Sequence, residues 1–216
     1  GDISWAMKLE DAKPDLEWID SRPGVKLMVK GNHDYWWQSS NKVRKALPKS
    51  IHILANDAFY HNGVAVVGTR LWDDTHFNFT QFVDFRDNPK QKEPRVLTDK
   101  DETDRILKRE HQRFLLSLSA MKKDAPVKIA MFHYPPISSD LQDSEISKIL
   151  QKEHISHCIF GHLHSLKKDA KLFGKKEGVD YQLVSCDFLE FRLIKLLEIT
   201  SVNANGISIN EQNIGT

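Results

Sequence analysis

Val25-Lys26-Leu27-Met28-Val29-Lys30, running straight into Gly31-Asn32-His33-Asp34, is the stretch on which the fold turns. Its first half is short, apolar and partly β-branched, the composition of a buried strand. Its second half breaks at a glycine and then presents an amide, an imidazole and a carboxylate in succession. A strand that ends in chemistry-bearing residues is the signature of an open α/β sheet, where ligands bind beyond the carboxyl ends of the strands.

The same arrangement recurs downstream. His133 follows the apolar run Val127 to Phe132, and Gly161-His162-Leu163-His164 follows His157 to Phe160. Turn-bounded β-prone runs predict further strands at 51–54, 64–68, 181–186, 193–199 and 207–209. Helical spacing predicts helices over 9–20, across Pro14, and over 39–47, 101–121 and 144–152. Strands alternate with helices and then dominate the end, so the fold class is α/β grading into a strand-rich C-terminal part. A chain of 216 residues fits a single domain over 1–216.

Composition narrows the function. A net charge of +1 supplies no global field toward nucleic acid or an anionic membrane. A local basic groove is compatible with that balance, so nucleic acid stays open as a partner. No apolar run approaches the roughly 20 residues of a membrane span. Cys158 and Cys186 lie in apolar stretches without the close spacing of a zinc ribbon. They read as reduced, buried thiols of a cytoplasmic protein, the alternative being a disulfide between neighbouring strands. The segment 86–113 is dense in charge of both signs and reads as a solvated loop and helix face, or as a flap beside a substrate.

The donors that follow the strands are imidazole, carboxylate and amide oxygen, with no thiolate. That set suits Mn²⁺, Fe or Zn²⁺ and disfavours a cysteine-rich structural zinc site. Each block alone has a plain reading: a Gly-His-x-His loop, a histidine closing a strand, a Gly-Asn turn. Their order, each placed after a strand, is what points to a metal centre.

The ordered set resembles the calcineurin-like metallophosphoesterase superfamily, whose pattern runs Asp-x-His, Gly-Asp, Gly-Asn-His-Asp/Glu, His and Gly-His-x-His. Gly1-Asp2, Gly31 to Asp34, His133 and Gly161 to His164 match the last four blocks. The runs Gly31 to Trp37, Gly68 to Arg70 and Leu183 to Asp187 further resemble a bacterial branch of predicted phosphohydrolases. The resemblance implies a four-layer αββα sandwich, with a first strand and helix carrying Asp-x-His expected upstream of Gly1. Asp74-Thr75-His76 has the right spelling in the wrong order and reads as coincidence.

The resemblance also implies an activity and roles. The activity is metal-dependent hydrolysis of phosphomonoesters or phosphodiesters by a metal-bridged hydroxide, with a small-molecule phosphoester as substrate. A nuclease on the same fold and a weakly active metal-binding scaffold are the alternatives. Two divalent ions are implied (Mn, Fe or Zn, with Mn favoured). Asp2 would bridge them, Asn32, His133 and His162 would complete one site, and His164 would belong to the other. With Asp-x-His absent from the chain, one ion is expected to bind better than two and activity to be weak. His33 would stand over the phosphoryl group as charge stabiliser or acid, oriented by Asp34. Arg70, Trp36 and Trp72 are candidate substrate contacts, and Asp187 reads as a turn cap or a residue near the site.

Overall fold

The run Val127–Phe132 forms β5, at the centre of a six-stranded sheet ordered β3-β4-β5-β6-β8-β7. Its neighbours are β4 (Val64–Thr69) and β6 (His157–Phe160), and β8 (Val179–Leu183) pairs with β6, all parallel within the sheet. β3 (Ala58–His61) and β7 (Gly174–Lys176) close the two edges antiparallel. A separate parallel pair joins β1 (Lys26–Met28) to β2 (Ile51–Ile53), and β9 (Glu198–Asn203) pairs antiparallel with β10 (Gly206–Asn210). The helices are α1 (Leu9–Asp20), α2 (Ser40–Ala46), α3 (Lys100–Ser119) and α4 (Glu145–Lys152). The structure, a computed structural model, describes residues 1–84, 100–203 and 206–210.

Side-chain alternation along the strands sorts the core into three layers of contact. On one face of the large sheet, Ala65, Val67, Ala130, Phe132, Cys158 and Phe160 pack against Phe114 and Leu118 of α3 and Ile146 and Leu150 of α4. Phe114 meets Phe132 edge-on at 5.0 Å between centroids. On the other face, Val66, Val127 and Ile129 pack against Val29 and Leu54, which continue the strands of the small sheet. The far side of that sheet offers Met28, Ile51 and Ile53 to Ala12 and Leu16 of α1 and Val43 of α2. The order is helices, sheet, sheet, helices, the αββα sandwich. Because helices or a second sheet cover both faces, the strands of the large sheet read as nearly continuous apolar runs.

Local chemistry accounts for the boundaries. The Ser39 side chain accepts from the Lys42 backbone N–H and caps α2. Ser144 and Ser147 exchange bonds with each other's backbone and set the start of α4. α1 runs through Pro14, burying Ala12 and Leu16 on one stripe.

The structure corrects several expectations. β3 and β7 are strands the sequence reading does not predict, since each is only three or four residues long and holds no buried residue. β3 reaches β4 through Asn62-Gly63, both at positive φ (46° and 79°), a turn geometry open to glycine and asparagine that matches the twist of a hairpin. Residues 193–197 are irregular and Leu193 is fully exposed, so the strand expected over 193–199 begins instead at Glu198. Both cysteines are free, but only Cys158 is buried; Cys186 is exposed because it lies in the turn after β8. The charge-dense stretch 86–99 lies outside the described residues, whereas 100–113 forms the first part of α3. Among the described residues, no helix is long and apolar enough to cross a membrane.

Candidate metal centre

The ends of β1, β5 and β6 deliver Asn32, His133 and His162 to one point. Asn32 Oδ1 lies 2.7 Å from His133 Nε2 and 3.1 Å from His162 Nδ1, and the two ring nitrogens are 3.3 Å apart. Asp2 Oδ2 stands 3.5 Å from the same His133 nitrogen. The backbone N–H of His33 donates to Asp2 Oδ1 at 2.8 Å and fixes that carboxylate. Gly31 is required for this approach, since a Cβ there would fall 2.0 Å from Asp2 Oδ1 and 2.3 Å from Asp2 N. His162 sits at φ 70°, a left-handed conformation that costs an ordinary residue about 1 kcal/mol. Such strain is characteristic of functional loops.

The electrostatics of the cluster favour a cation. Burial pushes His133 down to about 2, with His162 adding to the effect. Burial likewise pushes His162 down to about 4, helped by His164 and His33. Both imidazoles are therefore neutral at neutral pH, and each has one ring-nitrogen lone pair to offer a cation. Donors about 2.0–2.2 Å from a shared ion stand roughly 2.8–3.6 Å from one another, so this spacing fits a bound divalent metal.

A family model for calcineurin-like phosphoesterases matches residues 1–166. The chain belongs to the calcineurin-like phosphoesterase family. No curated protein and no solved structure matches it. Metal-dependent hydrolysis of phosphoesters is the chemistry of the family, and divalent metals are its usual cofactors.

Within this phosphoesterase, the remaining residues singled out from sequence fall in different places. His164 is half-exposed, and its Nδ1 lies 2.7 Å from Asp187 Oδ1. His33 is covered on one ring face by Trp5, and its Nδ1 is 3.3 Å from the Tyr35 hydroxyl. Asp34 is not the orienting partner of His33. Its carboxylate is fully buried and accepts from the N–H groups of Asp2, Ile3, Ser4 and Gly31 and from the Trp36 indole. It thereby holds the Asp2 loop against the Gly31 loop.

Two of the expected substrate contacts are also corrected. Trp36 is 0% exposed, its indole committed to Asp34 and its ring to the core beneath β1 and β2, so it cannot touch a substrate. Arg70 turns its guanidinium inward to Glu110, which is itself fully buried and also binds Thr69 and Arg113. The Arg70 carbonyl accepts from the N–H groups of His133 and Tyr134, so its backbone props the ligand loop. Trp72 stays partly exposed, beneath the Arg70 guanidinium at 4.5 Å and beside Tyr134. Asp74 Oδ1 and His76 Nδ1 pair with each other at 2.7 Å, with the His76 side chain exposed.

Three contributors escaped the sequence reading. Trp5 has no motif around it. Tyr134, with its ring 3.9 Å from that of His162 and its hydroxyl pushed above the usual phenol range by burial, reads in sequence only as the residue after His133. Glu110 sits on an α3 face whose charges look solvated in sequence. The helical period that carries Phe114 and Leu118 inward was the one signal that could have found it.

Proposed function

We propose that this chain is a metal-dependent phosphoesterase acting on small-molecule phosphomonoesters or phosphodiesters. Asp2, Asn32, His133 and His162 hold one divalent cation, and His164 contributes to a second. The observation that carries this reading is the convergence of Asn32 Oδ1, His133 Nε2 and His162 Nδ1 within 3.3 Å of one another. Imidazole, amide and carboxylate donors suit Mn²⁺, Fe²⁺ or Zn²⁺, of which we favour Mn²⁺. A bound divalent ion supplies charge against the phosphoryl oxygens and lowers the pKa of water at the site.

The chain's own residues do the rest. His33 Nδ1 faces Tyr35, which leaves Nε2 as the atom able to give a proton to a departing alkoxide. Trp5 keeps that imidazole in one plane. Asp34, Gly31 and the His33 N–H hold the Asp2 carboxylate in position. The test is turnover of p-nitrophenyl phosphate and its bis ester by the full chain with Mn²⁺, alongside elemental analysis. Mn²⁺-dependent turnover that is lost in His33→Ala supports the proposal. Absence of bound metal together with absence of turnover overturns it.

A further inference from the structure

Beyond the matched span, the register of the large sheet brings one more residue to the site. Phe160 of β6 pairs with Leu183 of β8 in parallel. Four residues past that pair on each strand stand His164 and Asp187. The Val184 N–H donates to the Phe160 carbonyl at 2.7 Å and carries the pairing past the strand ends. Both Asp187 oxygens then engage the histidine loop. Oδ1 lies 2.7 Å from His164 Nδ1, and Oδ2 accepts from the Ser165 N–H at 2.7 Å. Ser165 is at φ 53°, so the carboxylate clamps a loop that turns through the left-handed region. Asp187 is itself held in a turn, where Leu189 N–H bonds the Ser185 carbonyl and Phe191 N–H bonds the Cys186 carbonyl.

From this geometry we infer that Asp187 is a positioning residue for His164. It accepts the Nδ1 proton, sets the ring orientation and leaves Nε2 as the free donor. A carboxylate behind a ligating imidazole has this effect in metal sites generally, and losing it weakens metal affinity roughly 10–100-fold. The use of Nε2 as a metal donor rests on the function proposed above; the assignment of the tautomer does not. The rival arrangement is direct ligation of an ion by His164, Cys186 and Asp187, whose donor atoms lie within 4.8 Å of one another. One observation favours the positioning role: Asp187 Oδ2 is already taken by the Ser165 N–H at 2.7 Å, which turns Oδ1 to His164 Nδ1, where a protonated ring nitrogen would donate to it.

The test reads the tautomer directly in metal-free, ¹⁵N-histidine-labelled full chain at pH 8, by two-bond ¹H–¹⁵N correlation. His164→Gln assigns the resonance. An unbonded imidazole in water favours the proton on Nε2, so the expected wild-type result, a proton on Nδ1, is informative without any variant. In Asp187→Ala the proton shifts toward Nε2, and Mn²⁺ binding that depends on His164 weakens roughly 10–100-fold. A wild-type proton on Nε2, or a tautomer unchanged in Asp187→Ala, overturns the inference. So does a thiolate-to-cobalt charge-transfer band on Co²⁺ loading that disappears in Cys186→Ser. Failure of the proposed function registers separately, as absence of Mn²⁺ binding by wild-type protein whose His164 tautomer is as expected.

Discussion

The indole of Trp5 lies flat against the imidazole of His33, with ring centroids 4.4 Å apart and planes inclined by 13°. Trp5 is 71% exposed even with this stack in place. The ring that would deliver a proton is held by an aromatic wall and not by the adjacent carboxylate. His33→Ala therefore lowers kcat by roughly 10²–10⁴-fold while bound metal is unchanged. Trp5→Ala lowers kcat less, about tenfold, because the proton donor remains but its orientation is loosened. Steady-state kinetics with metal content measured in parallel checks both.

Asp34 connects the two loops that carry Asp2 and Asn32. Replacing it by asparagine turns one acceptor oxygen into an N–H donor facing the N–H groups of Asp2 and Gly31. Asp34→Asn is expected to destabilise the fold by about 3 kcal/mol or more and to weaken Mn²⁺ binding, although Asp34 offers the ion nothing itself. Urea unfolding and calorimetric Mn²⁺ titration give the two readouts.

Glu110 balances Arg70 and Arg113 from a fully buried position. Glu110→Gln leaves the Arg70 guanidinium, only 12% exposed, without its counter-charge. The expected loss is about 3–5 kcal/mol, the range for breaking one side of a buried pair. Glu110→Asp recovers part of it if the shorter carboxylate still reaches Arg113. Thermal unfolding of the two variants decides.

His133 and His162 tie stability to pH in the metal-free protein. Burial holds them near 2 and 4, below the ordinary histidine value of about 6.5 in the unfolded chain. Between those limits the unfolded state binds more protons than the folded state, so stability rises with pH and is complete above about 6.5. As pH falls from 6.5 toward 4, each imidazole removes about 1.4 kcal/mol per pH unit. Urea midpoints of chelated protein trace this decline, and His162→Asn makes the slope shallower.

Metal should stabilise the folded state by mass action. Mn²⁺ at about a hundred times its dissociation constant adds about 2.7 kcal/mol. A chelator reverses the gain, and His162→Ala removes most of it. Thermal midpoints with and without chelator measure the effect.

Local pattern determined much of this protein. The strands β4, β5 and β6 were legible because runs such as Val127–Phe132 are apolar along nearly their whole length, as strands covered on both faces must be. Asn32, His133 and His162 were legible as donors because each follows such a run, and the carboxyl ends of parallel strands converge. Gly31 marked a close approach, and the structure supplies the obstacle, the Asp2 carboxylate. The edge strands β3 and β7 were not legible, because each is very short and, as an edge, buries no residue.

Tertiary structure alone decided what each neighbour does. Asp34 follows His33 in the chain yet binds Asp2, Ile3 and Ser4, about thirty residues away. Trp36 looks like a site residue and is core, because the backbone turns its ring beneath the small sheet. Asp187 meets His164 only because β6 and β8 are adjacent and in register. Sequence carries the donor types and the strands that end in them, since both are set by local composition. Which carboxylate faces which imidazole depends on strand order and side-chain direction, and those exist only once distant segments pack.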